Sequence, residues 1–207
     1  MSQLIACATP EGVMLASDSR VETFTSTGEE QFVQVDHFIP LTSHAVLASA
    51  GALEAQDLAR EFADFVKDEG LKDIDAIIQA AVPFFTGKVD EFLRKACEKL
   101  PLNPVINMYM LLAGYNPQRS DQPGRLFIIW DRVQPPKIES TEGTHIFTLP
   151  RRMGLEYKLN QLVASLAPLA DMVEVAKSAM EKLASQDQYV GPPFRYLTIS
   201  QAGISES

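Results

Sequence analysis

Few residues in this 207-residue chain have the types and spacing that chemistry needs. Ser2 follows Met1, and a small second residue is what methionine aminopeptidases accept. The mature chain is therefore expected to begin at Ser2, a residue with a hydroxyl. Asp18 and Arg20 stand close in sequence; their plainest use is a structural ion pair. The three histidines, His37, His44 and His145, form no HxxxH pair. His44 and His145 also lack a carboxylate at ligand spacing, so both are read as structural. Cys7 and Cys97 are too few for a disulfide framework, and no CxxC pair offers metal or redox chemistry. Cys7 lies mid-strand between Ala6 and Ala8, which point to the opposite face, so it is expected to be a core thiol. Arg151 and Arg152 are a short basic pair at a predicted helix start, read as a surface or interface feature rather than an anion site. Gly51, Gly114 and Gly143 build no phosphate loop, and neither GxGxxG nor GxxxxGK occurs.

The elements that must carry these residues alternate between two periods. Residues 4–9 and 12–17 read as strands flanking Pro10-Glu11, a hairpin signal. Residues 32–35, 38–41 and 45–50 follow as strands. The next fifty residues read as helix. Leu53, Leu58, Phe62, Phe65 and Val66 form one apolar face, and Ile74, Ile77, Ile78, Ala81, Phe84 and Phe85 form the next. Pro83 is expected to kink or split that segment, which continues through Val89, Phe92, Leu93 and Ala96. Residues 105–115 (VINMYMLLAGY) are apolar on both faces and need cover on both sides. Residues 126–130 behave likewise, with a hairpin loop at 116–124 (NPQRSDQPG) between them. Shorter strands are predicted at 138–140 and 146–149, helices at 154–166 and 170–185, and a closing strand at 194–200. This order predicts one α+β domain over residues 1–207, a four-layer αββα sandwich, although a three-layer α/β fold shares several of these signals.

Composition narrows the function classes. Net charge is −9, which opposes non-specific nucleic-acid binding. The start of the chain lacks a basic n-region, and no window approaches ~18 apolar residues, so no signal peptide or membrane span is expected. A cytoplasmic location is the expectation, with no cofactor and no metal.

Residues 12–20 (GVMLASDSR) resemble the signature near the start of proteasome β-type subunits, members of the N-terminal nucleophile (Ntn) hydrolases. Residues 48–51 (ASAG), 111–115 (LLAGY) and 187–191 (DQYVG) are similar to later motifs of that family, in the same order. The resemblance implies the αββα fold, self-association into a ring or stacked rings, and hydrolysis of peptide or amide bonds. It puts Ser2 at the position of the N-terminal nucleophile, with its α-amine, of pKa ~7.7–8.0, as the base. It makes Asp18 a charge partner of that amine, the Gly51 N–H an oxyanion donor and Asp187 a supporting acid. The lysine of the family is missing, since the first lysine here is Lys67; counting back from Gly51 reaches His37 instead. The supporting serines are missing too: Thr148, Leu149 and Pro150 occupy one neighbourhood and Val190 the other. The competing expectation is therefore an inactive scaffold of the same fold.

Overall fold

The computed structural model describes residues 2–24, 29–98, 107–119, 121–133, 136–143 and 145–207. Residues 1 and 105–106, and the side chain of Cys97, which the sequence reading uses, lie outside that description.

Strands β1 (Leu4–Thr9) and β2 (Gly12–Ser17) form a hairpin whose turn is Pro10-Glu11. They sit inside a five-stranded sheet with β10 (Ile146–Leu149), β11 (Arg195–Ser200) and β12 (Gly203–Glu206), in the order β10-β1-β2-β11-β12. A second five-stranded sheet runs β5 (Phe38–Thr42), β6 (Ala45–Gly51), β7 (Met108–Tyr115), β8 (Gly124–Val133) and β9 (Pro136–Glu142). β3 (Arg20–Phe24) and β4 (Glu30–Gln34) make a separate two-stranded ribbon. Every described strand pairing is antiparallel, and the helices come in two sequential pairs, so the class is mixed α and β. The pairs are α1 (Glu54–Asp68) with α2 (Ile74–Glu98), and α3 (Met153–Ala164) with α4 (Leu169–Gln186).

Strand alternation distributes the apolar side chains among three cores. Leu4, Ala6 and Ala8 of β1 share one with Val46 and Ala48 of β6 and Leu111 and Ala113 of β7, so the two sheets pack face to face. The alanines keep that contact thin. Ile5 and Cys7 point the other way, joining Leu159 of α3 and Met172, Ala176 and Met180 of α4. Leu47, Met108, Met110 and Leu112 lie on the opposite face of the second sheet, under Leu58, Phe62, Ile77 and Phe85 of α1 and α2. This is why residues 108–115 are apolar at both parities: β7 is covered on both sides. A buried arginine also ties α2 to this sheet. Arg125 of β8 donates to Asp75 in the first turn of α2 and, at 2.6 Å, to Glu142 of β9.

Four expectations need correction. The segment around Pro83 is not split: α2 runs through it. The missing N–H forfeits one hydrogen bond, while Ile77, Ala81, Phe85, Val89 and Phe92 still bury a continuous face. Leu53 is not on the buried face of α1; it precedes the helix and is 39% exposed. β4 begins at Glu30, two residues early, because it pairs residue for residue with β3, an unexpected strand. The strand ending at Ser200 does not close the chain, since β12 folds back on it. Phe62, Phe65, Phe84 and Phe85 pack on one another, with Phe62 5.0 Å from Phe85 and 5.1 Å from Phe84 between ring centres.

Phe62 is fully buried at the centre of that cluster. Phe62→Ala is expected to cost about 3–5 kcal/mol in urea denaturation, through lost transfer energy and the cavity left behind. Leu53→Ala should stay within about 0.5 kcal/mol.

Candidate functional site

The β1–β2 register pairs Leu4 with Ser17, which brings residues 2 and 3 alongside 18–20 where the two strands end. The Gln3 N–H donates to Asp18 Oδ1 at 2.8 Å, and the Asp18 N–H returns a bond to the Gln3 carbonyl at 3.2 Å. The Gly191 N–H donates to Asp18 Oδ2 at 3.2 Å. Ser2 is buried beside them, its Oγ donating to the Arg20 carbonyl at 3.1 Å. The predicted Ser2 and Asp18 thus meet at one corner.

Asp18 is wholly shielded from solvent. Burial pushes its carboxyl up from 3.8 to about 6, against the pull of the N–H groups of Gln3, Gly191 and Arg20. The expected ion pair with Arg20 does not form. Arg20 instead donates from Nη1 to the Gln188 carbonyl at 2.6 Å and stacks over Phe32, 5.4 Å from the ring centre. Its guanidinium also passes close over Gly191.

Asp187 lies near this corner but bonds elsewhere. Its Oδ2 accepts from Arg152 Nη2 at 3.3 Å, and its Oδ1 from the Tyr189 N–H at 3.0 Å. Arg152 is half-buried, and its Nε donates to Gln3 Oε1 at 2.9 Å. The Gln3 side-chain amide donates to the carbonyls of Leu149 and Pro150 at 3.2 and 3.3 Å. Thr148, where the family has other polar groups, accepts the Arg152 N–H at 2.8 Å and donates to Glu156 at 2.7 Å. Gln3 and Arg152 are the members that sequence reasoning missed. The only signal was a glutamine in an otherwise apolar strand start, next to Ser2.

His37 belongs to a second cluster. Phe38 points into the core between the sheets, so His37, one residue earlier, faces α1. Its Nδ1 lies 2.7 Å from the Ser49 carbonyl, which fixes the tautomer: Nδ1 carries the proton and donates. The Gln56 amide of α1 sits 3.3 Å from the same nitrogen. Burial lowers the His37 pKa, opposed by the Ser49 carbonyl and the Asp36 charge, so the ring is neutral near pH 7. His37 Nε2, Ser49 Oγ and Gln56 Oε1 are buried without a hydrogen-bond partner. Among the described residues, no hydrogen bond joins His37 to Ser2 or Asp18.

Gly51 ends β6 with φ +101°, in the left-handed region, and a Cβ there would strike the Asn107 carbonyl oxygen. Glycine is required for β6 to turn into α1. Cys7 is buried with Sγ 3.3 Å from Met172 Sδ, and its thiol is pushed up to about 12. It is an unreactive core thiol, as expected. His44 is on the surface, bonded to Ser43 and the Gln201 carbonyl. Among the described residues, no three His, Cys, Asp or Glu side chains are placed to hold a metal ion, and no helix is long and apolar enough to cross a membrane. No protein-family model matches the chain, and no curated protein matches it.

The raised Asp18 pKa makes a stability prediction. A carboxyl that titrates higher folded than unfolded favours folding while protonated. That contribution is full below about pH 4 and is lost as pH rises through about 6. A shift of about two units corresponds to roughly 3 kcal/mol. Urea denaturation at pH 4 and pH 7 should show wild type losing that amount relative to Asp18→Asn. Parallel pH profiles would contradict the assignment.

Proposed function

We propose that this chain is a four-layer αββα sandwich of the Ntn-hydrolase kind, one domain that hydrolyses peptide or amide bonds with Ser2 as nucleophile. The observation that carries the reading is the corner itself: a buried serine hydroxyl at position 2 beside a buried carboxylate whose partners are peptide N–H groups. Three apolar cores separated by two sheets support the layered architecture.

With Met1 removed, Ser2 carries both nucleophile and base. As Oγ attacks the substrate carbonyl carbon, its proton passes to the α-amine of the same residue, and the carbonyl oxygen takes the negative charge. The Gly51 N–H is the donor assigned to that oxyanion. The amine then hands its proton to the departing amine as the C–N bond breaks, leaving an ester on Ser2. Water, deprotonated by the same amine, cleaves the ester and restores the hydroxyl. Asp18, ionised above about pH 6, holds the ammonium form between these transfers. His37 is neutral, so it offers a bare Nε2 as hydrogen-bond acceptor rather than the positive charge of a lysine. The enzyme works in the cytoplasm as a ring-forming homo-oligomer.

A second reading, an inactive scaffold of the same fold, is favoured by one specific feature. Asp187 is spent on Arg152 and His37 on Ser49, so neither reaches Ser2 by a hydrogen bond.

Intact mass of the purified protein should show Met1 removed. A β-lactone probe should then add once to wild type and not to Ser2→Ala. Equal labelling of the two proteins, or a retained Met1, contradicts the hydrolase reading and leaves the scaffold.

A further inference from the structure

We infer that Arg152 is a positioning residue for Ser2, acting through Gln3. The inference rests on the Ser2 reading and asks how that reading can work physically. Once Met1 is gone, the nucleophile is the first residue of the chain, and chain ends are poorly ordered unless something ties them down. Ser2 has only one covalent neighbour left to fix it. That neighbour, Gln3, is fully buried and bonded on every side. Its backbone N–H, part of the peptide between residues 2 and 3, donates to Asp18 Oδ1, and its carbonyl, in the next peptide, accepts the Asp18 N–H. Its side chain is held at the far end: the amide donates to Leu149 and Pro150, and Oε1 accepts from Arg152 Nε at 2.9 Å.

Arg152 is suited to this task because it is fixed itself. Its Nη2 bonds Asp187 Oδ2, and its backbone N–H bonds Thr148 Oγ1 as α3 begins. Asp187 in turn caps the turn after α4 by accepting the Tyr189 N–H. The clamp therefore runs from the ends of both outer helices, through a single guanidinium, to the residue that carries the nucleophile. It also gives Asp187 a role that needs no contact with Ser2. Without the Nε donor, Gln3 Oε1 would be buried and unsatisfied, and its side chain would be held only through its amide N–H groups. A reacting atom displaced by an ångström loses up to about a hundredfold in rate.

The test compares wild type with Arg152→Met, which keeps the apolar stem and loses the donors, and Arg152→Lys, which keeps one charged donor. The first readout is β-lactone inactivation of Ser2. Arg152→Met is expected to lower the maximal inactivation rate about tenfold to a hundredfold with little change in the half-saturating probe concentration. Arg152→Lys should recover part of the loss. An inactivation rate equal to wild type in Arg152→Met overturns the inference. The second readout is hydrogen exchange of the Gln3 side-chain amide by NMR, which does not need Ser2 to react. It should quicken at least tenfold in Arg152→Met, with thermal unfolding checked to exclude global loss of structure. If wild type is not labelled, the Ser2 reading fails, and unchanged Gln3 exchange would overturn the clamp as well. If Arg152→Met does not fold, Arg152→Lys carries both readouts: a Gln3 amide exchanging as in wild type together with an unchanged inactivation rate overturns the inference.

Discussion

A carboxylate sealed from water is the constraint on which this corner of the molecule depends. Asp18 has no cationic side chain against it; backbone N–H groups from Gln3, Gly191 and Arg20 bind it instead. Each of those groups belongs to a different stretch of chain: the start of β1, the turn before β11 and the start of β3. Burial makes the charge costly, and the three donors make it tolerable, so the carboxylate holds the three stretches together. If any one of them moved, a buried acceptor would lose its partner. Leu4 belongs to the sheet-on-sheet core and Val190 to the core shared with α3 and α4.

The second cluster follows different electrostatics. At His37 the chain has a ring that burial keeps neutral, where a lysine would supply a permanent cation. The proton on Nδ1 is committed to the Ser49 carbonyl, which leaves Nε2 bare. A hydrolase working this way cannot rely on a fixed positive charge to hold its amine neutral. It must rely on the amine's own pKa, near neutrality, with Asp18 shifting the balance toward the ammonium. On the proposed hydrolase reading the site depends more on alignment than on charge, which fits the dense bonding of Gln3.

Strands buried on both faces were the most legible part of the sequence. β1, β2 and β10 run over 4–9, 12–17 and 146–149 as predicted, because nearly every residue in them is apolar or small. β3 escaped notice because Arg20, Glu22 and Thr23 give it no apolar run, and it pairs only with β4. β12 is four residues long, its last two exposed. Pro83 does not split α2 because a lost hydrogen bond weighs less than a continuous buried helix face. At the site, Ser2 and Asp18 are brought together in the sequence only by the resemblance, and the β1–β2 hairpin is what juxtaposes them. The Gln3–Arg152 bond spans 149 positions, and no local pattern announces such a contact. His37 was found by its distance from Gly51, but its tautomer and its orientation toward α1 come only from the pairing of β5 with β6.

The central claim is that the hydroxyl of Ser2 forms the covalent bond. It is tested most directly by locating a β-lactone adduct through tandem mass spectrometry of the proteolysed protein. The account predicts an ester on Ser2 at a free N-terminus. An adduct on any other residue, or an N-terminal peptide that still carries Met1, would contradict it.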